Sequence, residues 1–342
     1  MLLSNRRQYS CGFILGLMNI CIITDGNNTI GLGHVYQSKT FAHYILNNGR
    51  GKYNVVFITK SEESVNDILK SEGFSVLACE NDNQIIEHLK ELLPGAVIID
   101  KLDTSPELAK TISESFNSRL AIFTCITDAN QYADVTVMGA MDSHFKNTKE
   151  IINNGHTISF HGPRYLILRP EFFKAFNKKS SFTGKVLLLL GGADPANITC
   201  SSVKTLIKSE EKYHIKAIIG RAFANREELN QLIINNRSDS LIEVVENTTR
   251  VSDYMEWADV AIVSPGISFF EALKTNTPVI VFNQNQFQHD AWAEDMTTYD
   301  KEDISLLPTM MKNRDFVYPN DPRVVSMDIG NGVNELIDII LQ

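Results

Sequence analysis

Thr29-Ile30-Gly31-Leu32-Gly33-His34 lies between a short apolar run, residues 20–24, and a segment in which Val35, Phe41, Ala42, Ile45 and Leu46 share one face at helical spacing. The run reads as a β-strand broken by Asp25-Gly26-Asn27-Asn28. Gly31 and Gly33 carry no Cβ, so the expected turn can be tight and can approach a ligand closely. His34 then falls on the first turn of a helix, at the carboxyl end of a strand, where open α/β sheets bind ligands. A neutral imidazole there can take a proton from water near pH 7. The helix dipole at that position is expected to disfavour imidazolium. A glycine turn with an incidental histidine is the other reading of the same six residues.

Outward from this stretch the alternation of strand and helix continues. Residues 53–59, 75–79, 96–100, 120–124 and 133–138 read as strands, and 64–72, 84–93 and 106–116 as helices. Such alternation implies βαβ units and a parallel sheet covered on both faces. Regularity lapses between 147 and 181, where His156, His161, Gly162, Pro163 and Pro170 fall, so a domain boundary is expected there. The pattern then restarts. Strands are expected at 185–190, 214–219, 241–245, 260–264 and 279–282. Helices are expected after Asn197 as cap, then at 227–234, 251–257, after Pro265-Gly266, and at 334–341. The fold class is therefore α/β, with two doubly wound Rossmann-like domains facing across a cleft. The expected division is an N-terminal appendage at 1–17, a first domain at 18–160, a linker at 161–182 and a second domain at 183–342.

Composition narrows the function. The chain of 342 residues has 43% hydrophobic and 21% charged residues, ordinary for a soluble protein long enough for two cores. A net charge of −9 argues against a nucleic-acid partner. Cys11, Cys21, Cys79, Cys125 and Cys200 are scattered, without CxxC spacing, and read as reduced thiols of a cytoplasmic protein. The eight histidines show no paired metal-binding spacing, so no metal is expected. Arg6 and Arg7 precede an apolar stretch at 11–23 that imitates a signal peptide, but no small-residue cleavage site follows and the run is too short to span a bilayer. Met18 stands just before the first strand, so 1–17 is read as an appendage or an upstream start, and no membrane insertion is expected.

Three stretches in the second half could hold an anionic ligand. Gly191-Gly192-Ala193-Asp194 follows a buried strand as phosphate-binding loops do, although it lacks the dinucleotide and P-loop spacings, and a plain tight turn explains it equally well. Gly266, Ile267 and Ser268 open a helix, where free amide N–H groups and the helix dipole stabilise a diphosphate without a lysine. Glu271, one turn on, could accept both hydroxyls of a ribose; a solvated glutamate is the alternative. Asn285 and Gln286 could bind sugar hydroxyls or acetamido groups, or form a polar loop. In the first half, Asp100 at a strand end could orient water or substrate, or cap a turn.

Taken together, these stretches resemble the PseG/SpsG family of nucleotide-sugar hydrolases of nonulosonic-acid and spore-coat polysaccharide pathways. The similarity is carried by Ile30-Gly31-Leu32-Gly33-His34-Val35, the segment 162–172 (GPRYLILRPEF), the segment 190–197 (LGGADPAN), Gly266 with Ser268 and Glu271, and Asn285-Gln286, in that order. The resemblance implies a GT-B-like domain pair and metal-independent, inverting hydrolysis of a UDP-linked diacetamido-trideoxy sugar to UDP and the free sugar. It implies His34 as the group that activates water, the 266–271 turn as the UDP site, no cofactor, and other nonulosonic-acid pathway enzymes as partners. Gln37 stands where the family has arginine, and Leu102 where it has tyrosine, both on the sugar side of the cleft. A glycosyltransferase of the same fold and a non-catalytic nucleotide-sugar-binding protein are the competing functions.

Overall fold

The computed structural model describes residues 16–26, 32–139, 145–177, 181–246 and 248–342. The Thr29–Gly31 part of the turn, Cys11 and most of the N-terminal appendage therefore lie outside the described residues.

The first domain is built on an eight-stranded sheet: β1 (Met18–Thr24), β2 (Tyr53–Thr59), β3 (Ser75–Ala78), β4 (Ala96–Asp100), β5 (Arg119–Phe123), β6 (Val135–Met138), β7 (Thr148–Ile152) and β8 (Thr157–His161). Their order is β3-β2-β1-β4-β5-β6-β8-β7. The central strands are buried on both faces, which is why they read as near-continuous apolar runs: all five residues of β4 are buried. α1 (Gly33–Gly49), α2 (Glu63–Lys70), α3 (Asp82–Leu92) and α4 (Pro106–Ser115) connect the strands. Asn81 and Ser105 cap α3 and α4 through their side chains.

The sheet extends through two strands that the sequence pattern did not show. β7 pairs antiparallel with β8, so the sheet is not parallel throughout. β7 is an edge strand with Lys149, Glu150, Ile151 and Ile152 all exposed, and β8 interleaves Ser159 and His161 with apolar residues. Neither presents the apolar run that marks a central strand. The irregular stretch thus belongs to the first sheet as far as His161.

The second sheet contains β9 (Lys185–Leu189), β10 (His214–Ile219), β11 (Leu241–Glu246), β12 (Val260–Val263) and β13 (Val279–Val281), in the order β11-β10-β9-β12-β13, all parallel. Its helices are α5 (Ile198–Leu206), α6 (Arg226–Ile234), α7 (Val251–Trp257), α8 (Ile267–Lys274), α9 (Gln286–Trp292), α10 (Leu307–Asn313) and α11 (Pro322–Ser326). Asn197, expected to cap α5, makes no side-chain cap; its backbone is left-handed, and Asp194 takes the role instead. Asn285 and Gln286 do not form a polar loop: Asn285 caps α9 by accepting from Gln288 N, and Gln286 is the first residue of that helix.

Two crossings join the domains. The linker makes a 3-10 turn (Pro163–Tyr165) after Gly162, whose φ of +102° and crowding against Asn147 and the Lys146 carbonyl leave no room for a Cβ. Beyond it, Tyr165 and Ile167 enter the first core while Leu166 and Leu168 enter the second, a period of two that stitches the cores together. The chain returns beside it: Gly330 N and Gly332 N donate to the carbonyls of Pro163 and Arg164. The last helix, α12 (Val333–Ile340), then leaves the second sheet and buries Val333, Leu336, Ile337 and Ile340 in the first core. Each of these aliphatic side chains contributes roughly 1.5–3 kcal/mol by leaving water. The terminal helix, expected in the second domain, is therefore part of the first domain's core. Among the described residues no helix is long and apolar enough to cross a membrane.

Candidate functional site

In each sheet the strand order reverses at one parallel pair of neighbours. In the first, β1 and β4 are neighbours with Thr24 in register with Asp100, and α1 leaves the end of β1. Open α/β sheets bind ligands at such reversals, outside the carboxyl ends of the strands. His34 Nδ1 lies 2.8 Å from Asp100 Oδ1. Gln37 Nε2 donates to both oxygens of Asp100, at 3.1 and 3.0 Å, and Ser38 Oγ donates to Oδ2 at 2.9 Å. Asp100 is fully buried, so these donors replace its water. A carboxylate only accepts, so Nδ1 carries the proton and the lone pair of the neutral ring sits on Nε2.

This arrangement changes the expected electrostatics of His34. Burial pulls its pKa down, but the hydrogen bond and charge of Asp100, with Asp103 adding, outweigh burial and Lys101, and the pKa is raised above the ordinary value of 6.5. The carboxylate, not the helix start, governs the imidazole, because it is in direct contact. Gly33, one residue before, has no positive φ, and a Cβ there would meet nothing within 4 Å. Its lack of a side chain leaves open space beside His34 and is not needed for the turn itself. Gly31 lies outside the described residues.

In the second sheet the reversal lies between β9 and β12, each ending in a glycine turn. Gly191 (φ +81°) and Gly192 are exposed, with open space above both. Asp194 is committed to the fold: its carboxylate accepts from Ile198 N (3.0 Å) and Thr199 N (2.7 Å) at the start of α5. Gln284 Nε2 bonds the same carboxylate and Ser264 Oγ, both at 2.9 Å, and so ties the β9 turn to β12. Gly266 (φ +148°) opens α8 with open space where a side chain would be, Ile267 is exposed and Ser268 is half-buried. Glu271 is only 5% exposed, and its carboxylate faces Arg169 of the linker at 3.3 Å. Burial pushes its carboxyl up to about 7 against the opposing pull of Arg169.

A cavity of about 320 Å³ joins the two banks. Gln37, Phe123, Thr124 and Val137 line it from the first domain, Tyr165, Leu166 and Ile167 from the linker, and Gly266, Ile267, Asn285, Phe287, Gln288 and Trp292 from the second domain. The structure thus brings Gly266, Ile267 and Asn285 together with Gln37, which shares the Asp100 carboxylate with His34. Gln286 does not line the cavity and donates instead to Asp290 Oδ1. Ser38, Thr124, Gln284 and Gln288 are not singled out in the sequence, and Arg169 enters only as part of the segment 162–172, without a role. For Ser38 a signal was present, since 34, 37 and 38 place three polar side chains on one helical face. The others join elements far apart in the chain. Among the described residues no group of three or more His, Cys, Asp or Glu side chains is placed to hold a metal ion.

No family model matches the chain. It is 33% identical over 331 residues to an uncharacterized protein of Methanocaldococcus jannaschii, a match covering 94% of this chain and 66% of that protein, so the chain spans less than two thirds of that relative's length. It is 26% identical over 285 residues to the spore coat polysaccharide biosynthesis protein SpsG of Bacillus subtilis, covering 79% of each. Among solved structures it is similar to MurG of Acinetobacter baumannii, with a TM-score of 0.61, 13% identity, and 94% and 99% of the two chains covered. It is also similar to Anabaena HepE in complex with UDP-glucose, with a TM-score of 0.58, 10% identity, and coverage of 94% and 98%. The two α/β domains facing across a cleft thus share the fold of these solved structures, and the sequence is similar to SpsG.

Proposed function

We propose that the protein hydrolyses a UDP-activated sugar, of the diacetamido-trideoxy class that the resemblance implies, in the biosynthesis of a nonulosonic acid or surface polysaccharide. The observation that carries this reading is the His34–Asp100 contact of 2.8 Å, whose carboxylate also accepts from Gln37, a residue that lines the same cavity as Gly266. His34 Nε2 takes a proton from water as the water oxygen attacks the anomeric carbon on the face opposite UDP. The C–O bond breaks, its electron pair leaves with UDP, and the sugar is released with inverted configuration. Asp100 holds the productive tautomer and stabilises the imidazolium that forms. The free N–H groups at the start of α8 bind the diphosphate and stabilise its charge as it leaves. The sugar occupies the cavity, with Asn285 at its second-domain wall, and Glu271 takes the ribose hydroxyls when its contact with Arg169 opens. No step calls on a metal or cofactor.

A second reading rests on the fold. Solved structures with this architecture include proteins named as glycosyltransferases, among them the galactosyltransferase WaaB and VinC in complex with dTDP. In that case His34 deprotonates an acceptor hydroxyl in place of water. Turnover of a UDP-sugar panel in H₂¹⁸O separates the readings. Hydrolysis predicts UDP release without acceptor, unlabelled UDP and label in the sugar. UDP release only on adding an acceptor selects the transferase, and binding without release leaves a nucleotide-sugar-binding protein.

A further inference from the structure

Gln37 and Thr124 stand at the cavity wall without a role in the reaction above. Gln37 Nε2 donates to Asp100, at 3.1 and 3.0 Å, and to Thr124 Oγ1, at 3.2 Å. Because a carboxylate only accepts, the nitrogen of the amide must face Asp100, and the hydroxyl takes the second N–H. The amide oxygen is then fixed by what its nitrogen does. It has no donor among the described residues, and Gln37 lines the cavity.

Thr124 is the counterpart. Its φ of +56° puts a β-branched residue in the left-handed region, a costly conformation that persists where the surroundings impose it. Its N–H is held by the Val137 carbonyl at 2.9 Å. With its oxygen accepting from Gln37, the hydroxyl proton is left to be donated. An acceptor and a donor therefore stand side by side on the wall, backed by the buried Asp100 carboxylate.

We propose that Gln37 and Thr124 determine which sugar is accepted, reading an uncharged group that both donates and accepts a hydrogen bond and rejecting a carboxylate at that position. The pair matches such a group atom for atom. A sugar carboxylate would meet the Gln37 amide oxygen as an unpaired acceptor, close to the like charge of Asp100, whose nearest donors are already engaged. This rests on the cavity holding the sugar of a UDP-sugar, so the affinity for UDP alone is the internal reference.

The test is calorimetry with UDP, UDP-glucose and UDP-glucuronate on the wild-type chain and three variants, with melting temperatures recorded. The wild type should favour UDP-glucose over UDP-glucuronate by roughly tenfold or more, the scale on which sites reject a mismatched polar group. Gln37→Arg keeps N–H groups toward Asp100 and Thr124 but replaces the acceptor by a cation, and should narrow or reverse that ratio. Thr124→Ser should keep the ratio. Thr124→Gly relieves the left-handed backbone, so it should hold or raise the melting temperature while losing preference for UDP-glucose. UDP binding with a ratio unmoved in both Gln37→Arg and Thr124→Gly overturns the proposal and leaves the nucleotide-sugar reading intact. A wild type that does not bind UDP overturns both.

Discussion

His34, at the first turn of α1, and Asp100, at the last residue of β4, are 66 positions apart in the chain and 2.8 Å apart in space. Adjacent strands bring them together: β1 delivers the helix, β4 delivers the carboxylate, and Thr24 and Asp100 are in register. Ser38 and Gln37, from the same helix as His34, hold the carboxylate's remaining lone pairs. The imidazole is thereby restricted to one tautomer and one orientation before any ligand arrives.

His34→Asn should cut kcat by roughly 10²–10⁴, the usual worth of a general base, while UDP affinity and melting temperature stay near the wild-type values. A variant with a lowered melting temperature and normal turnover per folded molecule would make His34 a structural residue and sink the mechanism.

The pH dependence follows from the raised pKa of His34. Catalysis needs the neutral ring, so kcat should rise with pH through a midpoint above 6.5 and fall on the acid side. Asp100→Asn removes the charge that raises the pKa and should move the midpoint down while lowering kcat. The stability effect has the opposite sign. A raised histidine pKa stabilises the fold below pH 6.5, and that contribution is lost as pH rises through the native pKa. A wild-type kcat that increases on acidification would assign the ring an acid role.

Glu271→Ala should weaken UDP binding by about 1–3 kcal/mol if the carboxylate takes the ribose hydroxyls. Calorimetry measures this directly, and unchanged affinity removes Glu271 from the site. The same residue makes a separate stability prediction. Its pKa is raised to about 7 by burial, so the carboxyl is protonated in the native state at low pH and its stabilising contribution is lost as pH rises from about 4.5 to about 7. Glu271→Gln should therefore gain stability relative to wild type at pH 8 compared with pH 4, as read by denaturant melts. An equal difference at both pH values would show that Arg169 fully offsets the burial.

Asp194→Ala should destabilise the second domain by about 1–2 kcal/mol, the scale of losing a helix cap. It also frees Gln284, which bridges to Ser264. Restoring the melting temperature with Asp194→Asn, whose side-chain oxygen still accepts from α5, would fit a capping role. A variant that melts normally but binds UDP weakly would instead make the carboxylate a ligand contact.

Much of the fold is legible along the chain, because the central strands are buried on both faces and must be apolar throughout, as in β4 and β12. The start of α1 and the Gly266 turn after β12 are likewise local events, and they locate His34 and Gly266 without tertiary information. The edge strand β7 carries no such mark, since four of its five residues face water. α12 shows its apolar face in the sequence but not its destination, because any apolar core would satisfy that face equally.

Local sequence, by itself, determined the alternation of elements, the two doubly wound domains and the candidate histidine, since each depends on side-chain periodicity or on backbone freedom within a few residues. Only the tertiary structure decided that Asp100 orients His34, that Asp194 caps α5, that Glu271 faces Arg169 and that Gln37 meets Thr124. Those partners are brought together by strand order and by the crossing of the linker. A hydrogen bond between residues dozens of positions apart leaves no periodicity in the chain, because it depends on where each strand lies in its sheet and not on spacing along the sequence.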